Sequence, residues 1–104
     1  SQIRSCRDNI ELHAEQELKL SILAKQVGYS EYYLSRKFKK EMGMNYSEYL
    51  NNARISYAVS LFNHGVDSVK NVAFLSGFND PLYFSSVFKK NTGLSPKEYK
   101  ERQV

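Results

Sequence analysis

The sequence predicts an all-α chain of about seven helices, built as two copies of one small unit, and three observations carry that prediction. A residue pattern recurs about fifty positions apart, apolar residues fall at helical spacing within each copy, and glycines and capping residues punctuate both copies at matching places. No stretch reads as a strand.

Leu20, Leu23, Ala24, Gly28 and Tyr29 recur 49 positions later as Val69, Val72, Ala73, Gly77 and Phe78. After one inserted residue the offset is 50, and Tyr33, Ser35, Phe38, Lys39, Lys40, Gly43, Glu48 and Tyr49 match Tyr83, Ser85, Phe88, Lys89, Lys90, Gly93, Glu98 and Tyr99. Two such units are too few for a solenoid, which needs about three or more repeats, so a duplicated small domain is the better reading.

An opening helix over about 2–14 turns Ile3, Cys6 and Ile10 inward. The next, about 20–27, carries Leu20, Leu23, Ala24 and Val27 on one side and ends at Gly28, which takes a left-handed conformation without strain. Lys19 is a poor cap for it. Tyr29 is expected as a buried turn residue, and Ser30 caps a helix of about 31–42 that Gly43 stops. The second copy repeats the devices: Ser68 caps, Gly77 terminates, Asp80 caps with Pro81 at the first helical position of a helix over about 81–92, and Gly93 stops. Capping boxes are expected at Asn45 with Glu48 and at Ser95 with Glu98. The first opens a long helix, about 46–62, with Tyr49, Leu50, Ala53, Tyr57, Ala58, Leu61 and Phe62 as its apolar side and Asn63, His64 and Gly65 as its end. The second opens a last helix of about 96–103. The organisation read from this is a first subdomain over 1–45, a linker helix over 46–63 and a second subdomain over 64–104.

Composition narrows the function. At 104 residues, 41% apolar and 25% charged, the chain should fold as one ordinary domain or two very small ones. No run approaches the ~18 to 20 apolar residues of a membrane span, and no signal peptide is visible. Fifteen Lys and Arg against eleven Asp and Glu give a net charge of +4, mildly basic, which alone says little about a nucleic-acid partner. The single cysteine, Cys6, can form neither an internal disulfide nor a multi-cysteine metal site, so no metal or cofactor is expected and a reducing, cytoplasmic setting fits. Ser1 in place of a starting Met suggests a tag remnant or a piece of a longer chain.

Two helices joined by a tight, glycine-containing turn are the helix-turn-helix arrangement, whose second helix can enter the major groove of double-stranded DNA. In the first copy Leu34 and Phe38 face the core, leaving Tyr32, Ser35, Arg36 and Lys39 together on the opposite face. Arg36 can grip guanine bidentately, a contact that discriminates by roughly 1–3 kcal/mol. In the second copy Phe84 and Phe88 face inward, while Leu82, Ser85, Ser86 and Lys89 face out. Leu82 can meet a thymine methyl but forms no hydrogen bond, and Ser86 stands where the first copy has Arg36, so the second copy should read sequence more loosely. A Tyr-Ser-Arg-Lys face is often only solvated surface; a basic pair at the same helical position of both copies, Lys39-Lys40 and Lys89-Lys90, argues otherwise.

The run Leu20–Lys40, LSILAKQVGYSEYYLSRKFKK, and the run Val72–Tyr99, VAFLSGFNDPLYFSSVFKKNTGLSPKEY, resemble the two helix-turn-helix motifs of the AraC/XylS family of bacterial transcription regulators. The match covers nearly the whole chain, with Gly77, Phe78, Phe84, Phe88, Lys89, Lys90, Gly93, Pro96 and Tyr99 where the family has them. The resemblance implies the C-terminal DNA-binding domain of such a regulator, with its two recognition helices in successive major grooves of an asymmetric two-box site. It implies base-reading roles for Tyr32, Ser35, Arg36, Leu82, Ser85 and Ser86. Phosphate roles would fall to Lys39, Lys40, Lys89, Lys90 and the helix starts near Ser21, Ser30 and Asn79. Arg54 either grips a phosphate or holds a buried acidic partner. Ser86 departs from the family, which often has arginine there. The family commonly joins this domain to an N-terminal sensor, dimerisation or receiver domain, and activation through RNA polymerase is its commoner habit.

Two rival readings are less well supported by the sequence. An enzyme is poorly supported: His13 and His64 sit in different elements at helix ends, Cys6 lies on an apolar stripe, and no glycine-rich phosphate loop or metal-ligand cluster is present. A protein-interaction module that keeps the shape without DNA binding draws some support from Leu82 and Ser86.

Overall fold

The computed structural model describes residues 2–14 and 19–102, in seven helices: α1 Gln2–His13, α2 Leu20–Val27, α3 Glu31–Met42, α4 Tyr46–Asn63, α5 Val69–Leu75, α6 Pro81–Thr92 and α7 Pro96–Glu101. No strand occurs among the described residues. The chain divides into two compact units, Ser1–Ala53 and Arg54–Val104, so α4 contributes its first half to one and its second half to the other.

The first unit packs Ile3, Cys6, Ile10 and Ala14 against Leu23 and Ala24 of α2, Leu34 and Phe38 of α3, and Tyr46 and Leu50 of α4. Phe38 is the fully buried centre, with the rings of Tyr46 and Tyr49 edge-on at 5.9 and 5.4 Å. Burial pushes the Cys6 thiol above its ordinary pKa, as expected of a core cysteine. The second unit buries Ile55, Ala58 and Phe62 of α4 with Val72, Ala73, Phe78, Phe84, Val87 and Phe88. Phe62, Phe84, Phe88 and Tyr99 form its aromatic centre, and the Tyr99 hydroxyl donates to Asn63 Oδ1 at 3.1 Å.

Both turns between the paired helices are built alike. Tyr29 N donates to Ala24 O at 2.9 Å and Gly28 N to Lys25 O at 3.4 Å; Phe78 N donates to Ala73 O at 2.9 Å and Gly77 N to Phe74 O at 3.1 Å. This is the Schellman pattern, which needs a left-handed residue after the helix, and Gly28 and Gly77 supply it at φ 78° and 98°. α5 runs to Leu75 with Ser76 as its C-cap, and Gly77 terminates it as expected. The Ser76 hydroxyl, fully buried, donates back to Val72 O at 2.7 Å and Ala73 O at 3.2 Å, a side-chain competitor for the last-turn carbonyls.

The expected caps form at Ser30, Ser68, Asp80 and Ser95, each accepting from a backbone amide of its helix's first turn, while Lys19 makes no side-chain cap. Ser95 and Glu98 close a full capping box. At the first site Glu48 N donates to Asn45 Oδ1 at 2.9 Å, and Glu48 Oε1 accepts from the Asn45 side-chain amide at 3.0 Å. Asparagine's own NH₂ thus meets the carboxylate, an option serine lacks.

Other expectations need adjusting. Tyr29 is half-buried, because its ring shares the surface with Tyr33. α7 ends at Glu101, and residue 103 lies outside the described residues. The single apolar side expected along α4 is two stripes, Tyr46, Tyr49, Leu50 and Ala53 in the first unit and Ile55, Ala58, Val59 and Phe62 in the second. Each follows i, i+3, i+4, i+7, but they start nine residues apart, out of step with a heptad. Tyr57 belongs to neither stripe and is exposed, whereas Tyr46 and Ile55, absent from the expected side, are buried.

Candidate nucleic-acid interface

In the first unit Leu34 and Phe38 anchor α3 in the core, which turns Tyr32 and Arg36 to solvent, Tyr32 at 71% exposure. Arg36 donates from Nη1 to the Tyr32 hydroxyl at 3.1 Å, along the exposed helix face. Ser35 is half-buried, and Lys39 and Lys40 are exposed in the last turn. That position gives the lysine pair a structural use too, since cations near a helix C-terminus oppose its dipole.

An open concavity lies on each side of this Tyr32–Arg36 ridge. Lys19, Ser21, Glu31, Ser35, Asn45 and Ser47 line one of about 590 Å³. The N-termini of α2 and α4 open here beside Ser35, with Ile22 N already donating to Lys19 O at 3.0 Å and Glu48 N to Asn45 Oδ1 at 2.9 Å. Ser21 therefore joins a base-reading candidate in one groove. Ser30 is occupied as the cap of α3, accepting from Tyr33 N at 3.1 Å. The other concavity, about 550 Å³, is lined by Tyr32, Tyr33, Arg36, Lys37, Lys40 and Glu41. Tyr33 and Lys37 are absent from the sequence-derived site; their i, i+4 spacing beside the reading face was the available signal.

In the second unit Phe84 and Phe88 are fully buried, as expected, and Val87 joins them at 8% exposure. Leu82, at 83%, and Ser86 face solvent, Ser85 is half-buried, and Lys89 and Lys90 are exposed. Asn79 is exposed just before the Asp80 cap, whose carboxylate accepts from Leu82 N and Tyr83 N. Arg54 is half-buried, with its guanidinium 5.8 Å from the centre of the Phe78 ring. No group of three or more potential metal ligands occurs among the described residues. None of the described helices is long and apolar enough to cross a membrane.

Known proteins share this arrangement. A family model described as a helix-turn-helix domain matches residues 23–102. The C-terminal domain of AraT, a response regulator from Geobacillus stearothermophilus, is 31% identical with a TM-score of 0.90, over 97% of this chain and 84% of that one. The chain belongs to the AraC/XylS family. An uncharacterised HTH-type transcriptional regulator of Staphylococcus aureus (strain MSSA476) is 36% identical to this AraC-type domain over 93 residues, 89% of the chain. The chain spans only 12% of the length of that curated relative. The fold is also that of the DNA-binding domain of AdpA, a global transcriptional factor solved in complex with a target DNA, at 22% identity and a TM-score of 0.90 over 98% of this chain and 92% of that one. The family and these neighbours are transcription regulators, not enzymes.

Proposed function

We propose that this AraC-type domain binds double-stranded DNA sequence-specifically, with α3 and α6 as recognition helices in successive major grooves and α3 the more discriminating. The reading rests on one contrast between two otherwise matched units. Where α3 exposes Tyr32 and Arg36, α6 exposes Leu82 and Ser86. Arg36 offers a bidentate grip on guanine; Leu82 offers only apolar contact with a thymine methyl. Two unlike heads call for an asymmetric site with boxes about 10 bp apart, one sharper than the other.

Tyr32, Ser35 and Arg36, then Leu82, Ser85 and Ser86, carry base contacts in this proposal. Ser21, Ser30, Asn79, Lys39, Lys40, Lys89 and Lys90 carry phosphate contacts through amides, hydroxyls and ammonium groups. Arg54 completes the set as a phosphate contact. In the full-length bacterial protein the domain would act in the cytoplasm as an activator in contact with RNA polymerase, joined to an N-terminal sensor, dimerisation or receiver domain.

Titration of labelled 25-bp duplex DNA across salt concentrations tests the binding itself. With about five phosphates neutralised, log K should fall against log salt with a slope near −4.5, on the order of 500-fold between 50 and 200 mM. A slope near zero defeats the proposal. Retained fold with no DNA affinity would favour a protein-interaction module.

A further inference from the structure

The flank of α3 formed by Tyr33 and Lys37 is assigned no role by the family match. Tyr33 is the third residue of α3; its amide is held by the Ser30 cap, and its ring, 50% exposed, stands edge-on to Tyr29 with centroids 4.7 Å apart. Lys37 Nζ lies over both rings, 5.6 Å from the Tyr29 centroid and 5.7 Å from that of Tyr33. The phenols of Tyr29 and then Tyr33 hold the Lys37 ammonium above its ordinary pKa.

The position on the helix matters as much as the charge. At about 100° per residue, Tyr33 and Lys37 lie roughly 60° and 100° to one side of Arg36, while Lys39 and Ser35 lie roughly 60° and 100° to the other. A helix seated in a major groove about 12 Å wide runs between two phosphate backbones. The Ser35 side has the N-terminal residues of α2 and α4, with Lys19 among them. The Tyr33 side has its own concavity, with Lys37 and Lys40 in its wall and a single opposing carboxylate, Glu41.

We propose that Tyr33 and Lys37 form a phosphate clamp for the DNA strand on that flank, Lys37 as the cation and the Tyr33 hydroxyl as a donor. This inference rests on the DNA-binding reading above. The clamp belongs to the first unit alone. Position for position, the second unit has Phe78, Tyr83 and Val87 where the first has Tyr29, Tyr33 and Lys37. Tyr83 keeps the exposure of Tyr33, at 51%, and packs on Phe78 at 6.1 Å, but Val87 has turned the cationic position into core. The sharper-reading unit therefore also holds the backbone on one more side.

The test is fluorescence anisotropy of this domain with a labelled pool of random-sequence 25-bp duplexes, titrated between 50 and 200 mM salt. Lys37→Gln should make the log K against log salt slope shallower by about 0.9, so that the wild-type advantage shrinks about 3.5-fold across that range. Lys37→Arg should restore the wild-type slope. Tyr33→Phe, which keeps the ring packing, should lower affinity several-fold at an unchanged slope. Thermal unfolding of all three should match wild type. If the wild type shows the steep slope and Lys37→Gln shows the same slope and affinity, the clamp is wrong and the DNA reading stands. If the wild type itself shows no slope, both fall together.

Discussion

Arg36 reaches back one helical turn to Tyr32, its Nη1 3.1 Å from the phenol oxygen and its guanidinium carbon 5.4 Å from the ring centre. A free surface arginine loses rotamer freedom on binding, at about 0.5–1.5 kcal/mol for an immobilised side chain. In the proposed base contact, Tyr32 would meet part of that ordering cost in the unbound protein.

Arg36→Ala should therefore cost roughly 1–3 kcal/mol of discrimination at one base pair of the sharper box. Its melting temperature should stay close to wild type, since both side chains are exposed. Tyr32→Phe removes only the acceptor, so affinity should fall by under about 1.5 kcal/mol with site preference kept. Competition binding with single-base variants of the selected site separates these effects. Unchanged preference in Arg36→Ala would remove that residue from the reading face.

Ser86→Arg supplies the second unit with the group its partner position holds at Arg36. The residue is exposed, so the longer side chain fits without repacking. The looser box should sharpen toward a guanine, by roughly 1–3 kcal/mol against other bases. An unchanged preference would mean that α6 lies too far from the bases to read them.

Ser95→Ala breaks the capping box that starts α7 and should cost about 1 kcal/mol of stability. It should also change the acid limb of the stability curve. Hydrogen bonds from the Ser95 backbone and side chain hold Glu98 below its ordinary pKa of 4.5. A depressed carboxylate stabilises the fold above the unfolded-state value, and that contribution disappears as pH falls through the lower folded value. Thermal melts from pH 6 to pH 2 should show wild type losing its advantage over Ser95→Ala below about pH 4.5. A constant difference would show that Glu98 is uncoupled from the cap.

Cys6 is 2% exposed and its thiol is held in the protonated form by burial. Alkylation by iodoacetamide at pH 8 should be slow in the folded protein and become fast only when denaturant unfolds the first unit. Rapid modification without denaturant would contradict the packing of α1 on its core.

The sequence made the punctuation of this fold readable because helix caps and left-handed glycines are local chemistry. Ser30, Asp80, Gly28 and Gly93 act within a few residues of themselves, and each does what its residue type implies. α4 was harder. Its two apolar stripes are set by two separate cores, so helical spacing alone leaves out Tyr46 and Ile55, which are buried, and turns Tyr57, which is exposed, inward. Likewise Val87 and Lys37 occupy the same repeat position, yet one is core and the other surface. The outward faces of α3 and α6 could be read because Leu34 with Phe38 and Phe84 with Phe88 fix each helix's rotation. The approach of the Arg54 guanidinium to the Phe78 ring, at 5.8 Å, joins residues of two elements and is encoded by no helical spacing.

The most direct test of the central claim, two unlike reading heads on one chain, is selection of this domain against random 25-bp duplexes at moderate salt. The account predicts an enriched, asymmetric motif of two boxes about 10 bp apart, the one read by α3 sharper than the one read by α6. No enrichment, with binding that merely follows salt, would contradict it and leave a domain that holds DNA without reading it.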